Sequence, residues 1–133
     1  MDEYIGKVKM NYEYYCGEDL YSDGDIEDEL LRIVQSETDY SKIIYESASW
    51  PILYHLSDVR ENVLSWYPFK ENASVMEIGA GCGAVTGALL SKCSRVVSVD
   101  LSKRRSLINA YRHKEADNLE ILVANFQDVY NNV

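Results

Sequence analysis

Glu77 stands two residues before Gly79-Ala80-Gly81-Cys82-Gly83, where every second position is glycine, and an apolar run precedes it. Glycine has no Cβ and accepts positive φ, so such a loop lets bare backbone approach a ligand. A helix starting just after the loop would turn its unpaired N–H groups toward the same place. That combination points to a nucleotide-like ligand. Gly79-x-Gly81-x-x-Ala84 satisfies the dinucleotide fingerprint in its G-x-G-x-x-G/A form. Charge argues the other way. A carboxylate at Glu77 repels a pyrophosphate and favours a guest carrying positive charge. At about 4–6 Å and an effective dielectric near 20, one such contact is worth roughly 3–4 kcal/mol before desolvation.

The surrounding elements have the order that would position this loop. Val75-Met76-Glu77-Ile78 reads as a strand, and Val85-Thr86-Gly87-Ala88 opens a helix. Arg95-Val96-Val97-Ser98-Val99-Asp100 reads as a second buried parallel strand ending in an acid. Asp100 follows Gly83 by 17 residues, close to the spacing at which a carboxylate accepts ribose hydroxyls. The lesser reading is an acid at the start of the helix over 102–114, which Ser102 caps. That helix is expected to turn Leu107, Ile108 and Tyr111 inward and to leave Lys103, Arg104, Arg105, Arg112 and Lys114 mostly in water. Its basic residues read as a solvated face rather than a nucleic-acid patch, and His113 receives no role. Leu119-Glu120-Ile121-Leu122-Val123-Ala124 is a third strand, followed by Asn125-Phe126-Gln127-Asp128.

Glu77-x-Gly79-x-Gly81-x-Gly83, Asp100 and the turn at Asn125 together resemble the ordered motifs of class I S-adenosylmethionine-dependent methyltransferases, over roughly residues 50–133. The resemblance implies an α/β fold: the first three strands of a seven-stranded Rossmann-like parallel sheet, preceded by a mainly helical N-terminal cap. It implies S-adenosylmethionine as cofactor. Gly79, Ala80, Gly81 and Gly83 would let the backbone meet its methionyl and ribose portions, and Glu77 would support its cationic end. Asp100, with Leu101, would take the ribose; Asn125 would face the adenine amine, with Phe126 beside it and Asp128 next in line. Arg60, in a segment similar to the pre-motif helix of the family, would pair with the methionine carboxylate, or else with Asp58 or Glu61 on a helix surface. No catalytic base can be named. The wording Glu-Ile-Gly-Ala-Gly-x-Gly-Ala-Val-Thr-Gly-Ala-Leu also looks like the ribosomal RNA adenine dimethyltransferases.

Two units are expected, a cap over 1–70 and the first half of the cofactor domain over 71–133. Lys7-Val8-Lys9-Met10-Asn11-Tyr12 alternates as a short strand does, and Ser22-Asp23-Gly24 signals a turn. Ile26, Leu30, Ile33 and Val34 have helical spacing, with acids in the first turn where the macrodipole favours them. Ser49-Trp50-Pro51 starts a second helix predicted to run to Trp66, with Leu53, Leu56, Val59, Val63 and Leu64 as its stripe. Tyr45, Tyr54, His55 and Arg60 are placed toward the cofactor cleft.

The chain has 22 acidic and 13 basic residues, a net charge of −9. Nucleic-acid affinity depends on neutralising phosphates, so a small-molecule or protein methyl acceptor is expected instead. No apolar run approaches the roughly 20 residues of a membrane helix, and no basic leader opens the chain. Cys16, Cys82 and Cys93 are odd in number and lack metal-ligand spacing; free thiols in a reducing cytoplasm are expected, and no metal. With the family's fourth strand absent, one edge of the strand at 75–78 is expected to be open. A missing C-terminal half or a second copy of the chain would cover it, and truncation or proteolysis is the first expectation. An NAD-dependent oxidoreductase half-domain and a non-catalytic module of the same fold are the alternative readings.

Overall fold

The computed structural model describes residues 2–17, 25–36, 40–47 and 49–132. The turn expected at Ser22-Asp23-Gly24 lies outside them. β1 (Asp2–Ile5) and β2 (Val8–Asn11) form a hairpin, followed by helices α1 (Asp25–Ser36), α2 (Ser41–Ser47), α3 (Trp50–Leu56) and α4 (Asn62–Ser65). Then come β3 (Ser74–Ile78), α5 (Thr86–Lys92), β4 (Arg95–Asp100), α6 (Lys103–Arg112), β5 (Leu119–Val123) and α7 (Phe126–Asn132).

One sheet, in the order β1-β2-β5-β4-β3, joins both parts of the chain. Its three C-terminal strands run parallel through the helical crossovers α5 and α6, a Rossmann-like α/β arrangement as the resemblance implied. β2 joins β5 in parallel, and β1 closes that edge antiparallel. The strand expected around residues 7–12 is therefore present, and residues 2–11 belong to the sheet rather than to a helical layer.

Alternation along the strands divides the sheet into two faces. Val8, Met10, Val96, Ile121 and Val123 pack with Leu89 and Ala110 beneath α5 and α6. Val99 and Leu122 pack with Val129 of α7 on the opposite face. A third cluster joins Leu30, Ile33 and Val34 of α1 to Ile52 and Leu56 of α3, to Ile108 of α6 and to Cys82 of the glycine loop. This cluster sets the cap helices over the loop.

The helix predicted over 51–66 is broken. Ser57 is extended (ψ 142°), its hydroxyl accepts the Val59 N–H, and a 3-10 turn (Asp58–Glu61) precedes α4. Serine offers the backbone such a local alternative to helix. Arg112 reinforces the break by donating to the carbonyls of His55, Leu56 and Ser57, the chain end that α3 leaves unpaired. Ile52 and Leu56 are buried accordingly, whereas Val59 and Val63 of the expected stripe are exposed.

Lys103 of α6 is exposed as expected, but the arginines of that face are engaged with the cap. Arg105 Nε donates to Glu27 at 2.8 Å, with Glu27 fully buried in α1, and Arg104 pairs with Asp28 at 3.2 Å. Lys103 lies 5.2 Å from the Tyr12 ring centroid. α6 thus anchors α1 and α3. At the other end of the sheet, β3 is the edge strand among the described residues, and its Met76 and Ile78 are 45% and 57% exposed.

Candidate functional site

The site is built at the C-terminal ends of β3, β4 and β5. β3 and β4 pair in parallel with Glu77 opposite Ser98. Residues directly opposite on one face of a sheet come within reach of each other, and Ser98 Oγ donates to Glu77 Oε1 at 2.8 Å. Thr86, the first residue of α5, donates to the same oxygen at 2.6 Å. Thr86 Oγ1 in turn accepts from Asn109 Nδ2 at 3.2 Å, and Asn109 Oδ1 meets His113 Nδ1 at 2.8 Å. The bonds run one way: His113 donates to Asn109, Asn109 to Thr86, and Thr86 to Glu77. Glu77 Oε1 is held by two hydroxyls, and Oε2 has no protein donor among the described residues and is not sealed from solvent.

The loop itself is tightly specified. Gly79, Gly81 and Gly83 all take positive φ. Gly83 is buried, and a Cβ there would overlap the Asn109 side chain. It therefore serves close packing of the loop on α6 and lines neither of the two cavities that flank the loop. The N–H groups of Gly79 and Ala80 donate to Val99 O at 2.8 and 3.2 Å, and Gly83 N donates to Ala80 O at 3.1 Å. Gly81 N donates to Asp100 Oδ2 at 2.8 Å, and Ser102 N to Asp100 Oδ1 at 3.0 Å. Asp100 thus fastens the loop and holds Ser102, the N-cap of α6, and each of its oxygens keeps a further lone pair.

Two cavities flank the loop and share Gly79 and Arg105. The first, about 290 Å³, is lined by Ile78, Val99, Asp100, Leu101, Ala124, Asn125 and Phe126. Asn125 Oδ1 accepts the Gln127 N–H at 2.9 Å, which fixes its amide at the mouth of α7. Phe126 joins the packing of Val99 and Leu122 while it borders the cavity. The second, about 500 Å³, is lined by Trp50, Tyr54, His55, Arg60, Ala80, Gly81 and Cys82 among others. The Arg60 guanidinium lies 4.4 Å from the Tyr54 ring centroid, and the Tyr54 and Trp50 rings are 5.7 Å apart. Burial pushes the Cys82 thiol up to about 12, so it is a packing residue and not a nucleophile.

The structure brings most of the expected residues together: Gly79, Asp100, Leu101, Asn125 and Phe126 about the first cavity, Ala80, Gly81 and Arg60 about the second. Glu77 stands beneath the loop at the first turn of α5. Tyr45 is 86% exposed and lines neither cavity, because α2 turns it outward. Sequence reasoning missed Thr86, Ser98, Asn109, His113 and the Glu27–Arg105 pair. The parallel register of the strands at 74–78 and 95–100 would have revealed Ser98. The others join through tertiary packing, which no local spacing reports.

No protein-family model matches the sequence, and no curated protein matches it. Among solved structures, the chain is similar to phosphoethanolamine N-methyltransferase 1 of Haemonchus contortus, determined in complex with phosphoethanolamine and S-adenosylhomocysteine. Identity is 23% and the TM-score 0.49, over 76% of this chain. The chain spans about a fifth of that protein's length (21%).

Proposed function

We propose that this chain is the cofactor-binding part of an S-adenosylmethionine-dependent methyltransferase. One observation carries the reading: the glycine loop keeps its N–H groups for the protein. Gly79, Ala80, Gly81 and Gly83 all donate to protein oxygens, and the carboxylates of Glu77 and Asp100 stand beside the loop. A pyrophosphate on this loop would need those donors and would meet two negative charges. A zwitterion bearing a sulfonium and an ammonium needs neither donor and is favoured by both charges.

The residues present fit such a guest. The 290 Å³ cavity suits an adenosine. Asp100 keeps lone pairs for ribose hydroxyls, and Asn125 has an amide for the adenine edge. Arg60 faces the glycine loop across the larger cavity and makes no ion pair among the described residues; a guanidinium binds a carboxylate through two parallel bonds. When bound, the cofactor supplies an activated methyl group. The chain contributes alignment, with Trp50 and Tyr54 of the cap bordering the larger cavity. The acceptor is a small molecule or a protein, in keeping with the chain's net charge of −9.

Calorimetric titration with S-adenosylhomocysteine and with 5′-methylthioadenosine, which lacks the amino-acid end, tests the assignment. Arg60→Gln should weaken S-adenosylhomocysteine about tenfold, as loss of one charge-assisted contact implies, and leave methylthioadenosine unchanged. Equal loss of both would remove Arg60 from the carboxylate. Binding of neither by the unaltered protein would remove the reading.

A further inference from the structure

The larger cavity beside the glycine loop, about 500 Å³, is big enough for a small molecule next to the methionyl end of a cofactor. Its outer wall is aromatic. Trp50 and Tyr54 stand one turn apart on α3 and so share a face. Their rings are 5.7 Å apart and tilted by 33°, and both are exposed.

Charge decides what such a wall receives. Aromatic faces ordinarily attract ammonium groups. Here the Arg60 guanidinium already covers Tyr54, 4.4 Å from its ring centroid. Arg60 is half-buried and makes no ion pair among the described residues. Arg105 enters the same cavity with its charge balanced by Glu27 at 2.8 Å. Among the described residues no carboxylate lines this space: Asp100 lines the smaller cavity, and Glu77 lines neither. A cationic guest would enter beside an uncompensated guanidinium, whereas an anion would be drawn in. Once Arg60 pairs with the cofactor's carboxylate, the sulfonium keeps the space positive where the methyl group lies.

On the methyltransferase reading above, we propose that the Trp50 side of this cavity binds the methyl acceptor, and that the acceptor is a planar aromatic oxyanion of the phenolate class stacked on the Trp50 ring. The exposed indole face supplies the platform, and Ile26 and Pro51 border it. An acceptor that arrives ionised needs no base from the lining. Its oxygen takes the methyl carbon as the carbon–sulfur bond breaks, the oxyanion and sulfonium charges cancel, and no proton moves. His55, edge-on to Tyr54 with ring centroids 5.1 Å apart, is then left to packing.

The test is calorimetry on the 133-residue chain. S-adenosylhomocysteine is titrated first, and 4-nitrophenolate is then titrated into the saturated complex at a pH where it is ionised. Saturable binding is expected, with 4-nitroanisole and phenyltrimethylammonium each weaker by about tenfold or more. Trp50→Ala should weaken 4-nitrophenolate about tenfold, as loss of one ring–ring contact implies, and change S-adenosylhomocysteine by less than about twofold. Binding of S-adenosylhomocysteine without saturable binding of 4-nitrophenolate would overturn this inference and leave the cofactor reading standing. So would tighter binding of phenyltrimethylammonium, or an unchanged 4-nitrophenolate affinity in Trp50→Ala. Displacement of S-adenosylhomocysteine by 4-nitrophenolate would put the anion in the cofactor's own place and likewise overturn it. Failure of S-adenosylhomocysteine itself to bind would remove both.

Discussion

At the scale of single residues, the chemistry of this chain depends on which oxygens and nitrogens are already spoken for. Asp100 keeps the spacing of a ribose-binding acid, yet it also accepts the Gly81 and Ser102 N–H groups and so shapes the loop that it serves. His113 shows how far a residue without a motif can matter. This half-buried imidazole is held neutral in the folded state, whereas the unfolded chain binds a proton below its ordinary pKa near 6.5. Its folded pKa is lowered to about 4, so the folded state binds fewer protons between these values. Stability should hold above about pH 6.5 and fall as the pH drops toward 4, by on the order of 3 kcal/mol. Urea midpoints measured against pH should show this acid limb, and His113→Gln should flatten it. An unchanged limb would place the titrating group elsewhere.

Among elements, the decisive contacts are those between α6 and the cap. Glu27 is fully buried and is paired with Arg105, which reaches both cavities around the loop. Glu27→Gln should cost about 3 kcal/mol, since it breaks an ion pair whose acidic member is fully buried. Hydrogen exchange in α1 should then accelerate relative to the sheet. Exchange unchanged in α1 would mean that apolar packing alone holds the helix. This element level is where sequence reading succeeded and failed by recognisable physics. The strands at 74–78, 95–100 and 119–123 announce themselves through β-branched runs and glycine punctuation. So does α1, through Ile26, Leu30, Ile33 and Val34. The break at Ser57 was hidden, because the apolar stripe continues through Val59 and Val63 while a local serine bond and Arg112 stop the helix. The arginines of α6 read as solvated for the same reason: their partners, Glu27, Asp28 and the α3 carbonyls, are far away in sequence.

For the whole molecule, the sheet ends in the hairpin strand β1 on one side and in β3 on the other, where Met76 and Ile78 face outward. An apolar parallel strand with an unpaired edge invites association. The chain is expected to self-associate with rising concentration in sedimentation velocity. Ile78→Lys should suppress this while changing stability by less than about 0.5 kcal/mol, as exposed substitutions do; association undiminished in the variant would place the contact elsewhere. No helix among the described residues is long and apolar enough to cross a membrane. The strand–loop–helix order was legible from residue types, but the hairpin's place beside β5 was not, because parallel pairing across more than a hundred residues leaves no local trace. The central claim concerns the guest that these parts receive. Side-by-side calorimetry with S-adenosylhomocysteine and NAD on the same preparation tests it most directly. Saturable binding of S-adenosylhomocysteine with no heat from NAD is the predicted result; binding of NAD, with its pyrophosphate accepted by the loop, would contradict it.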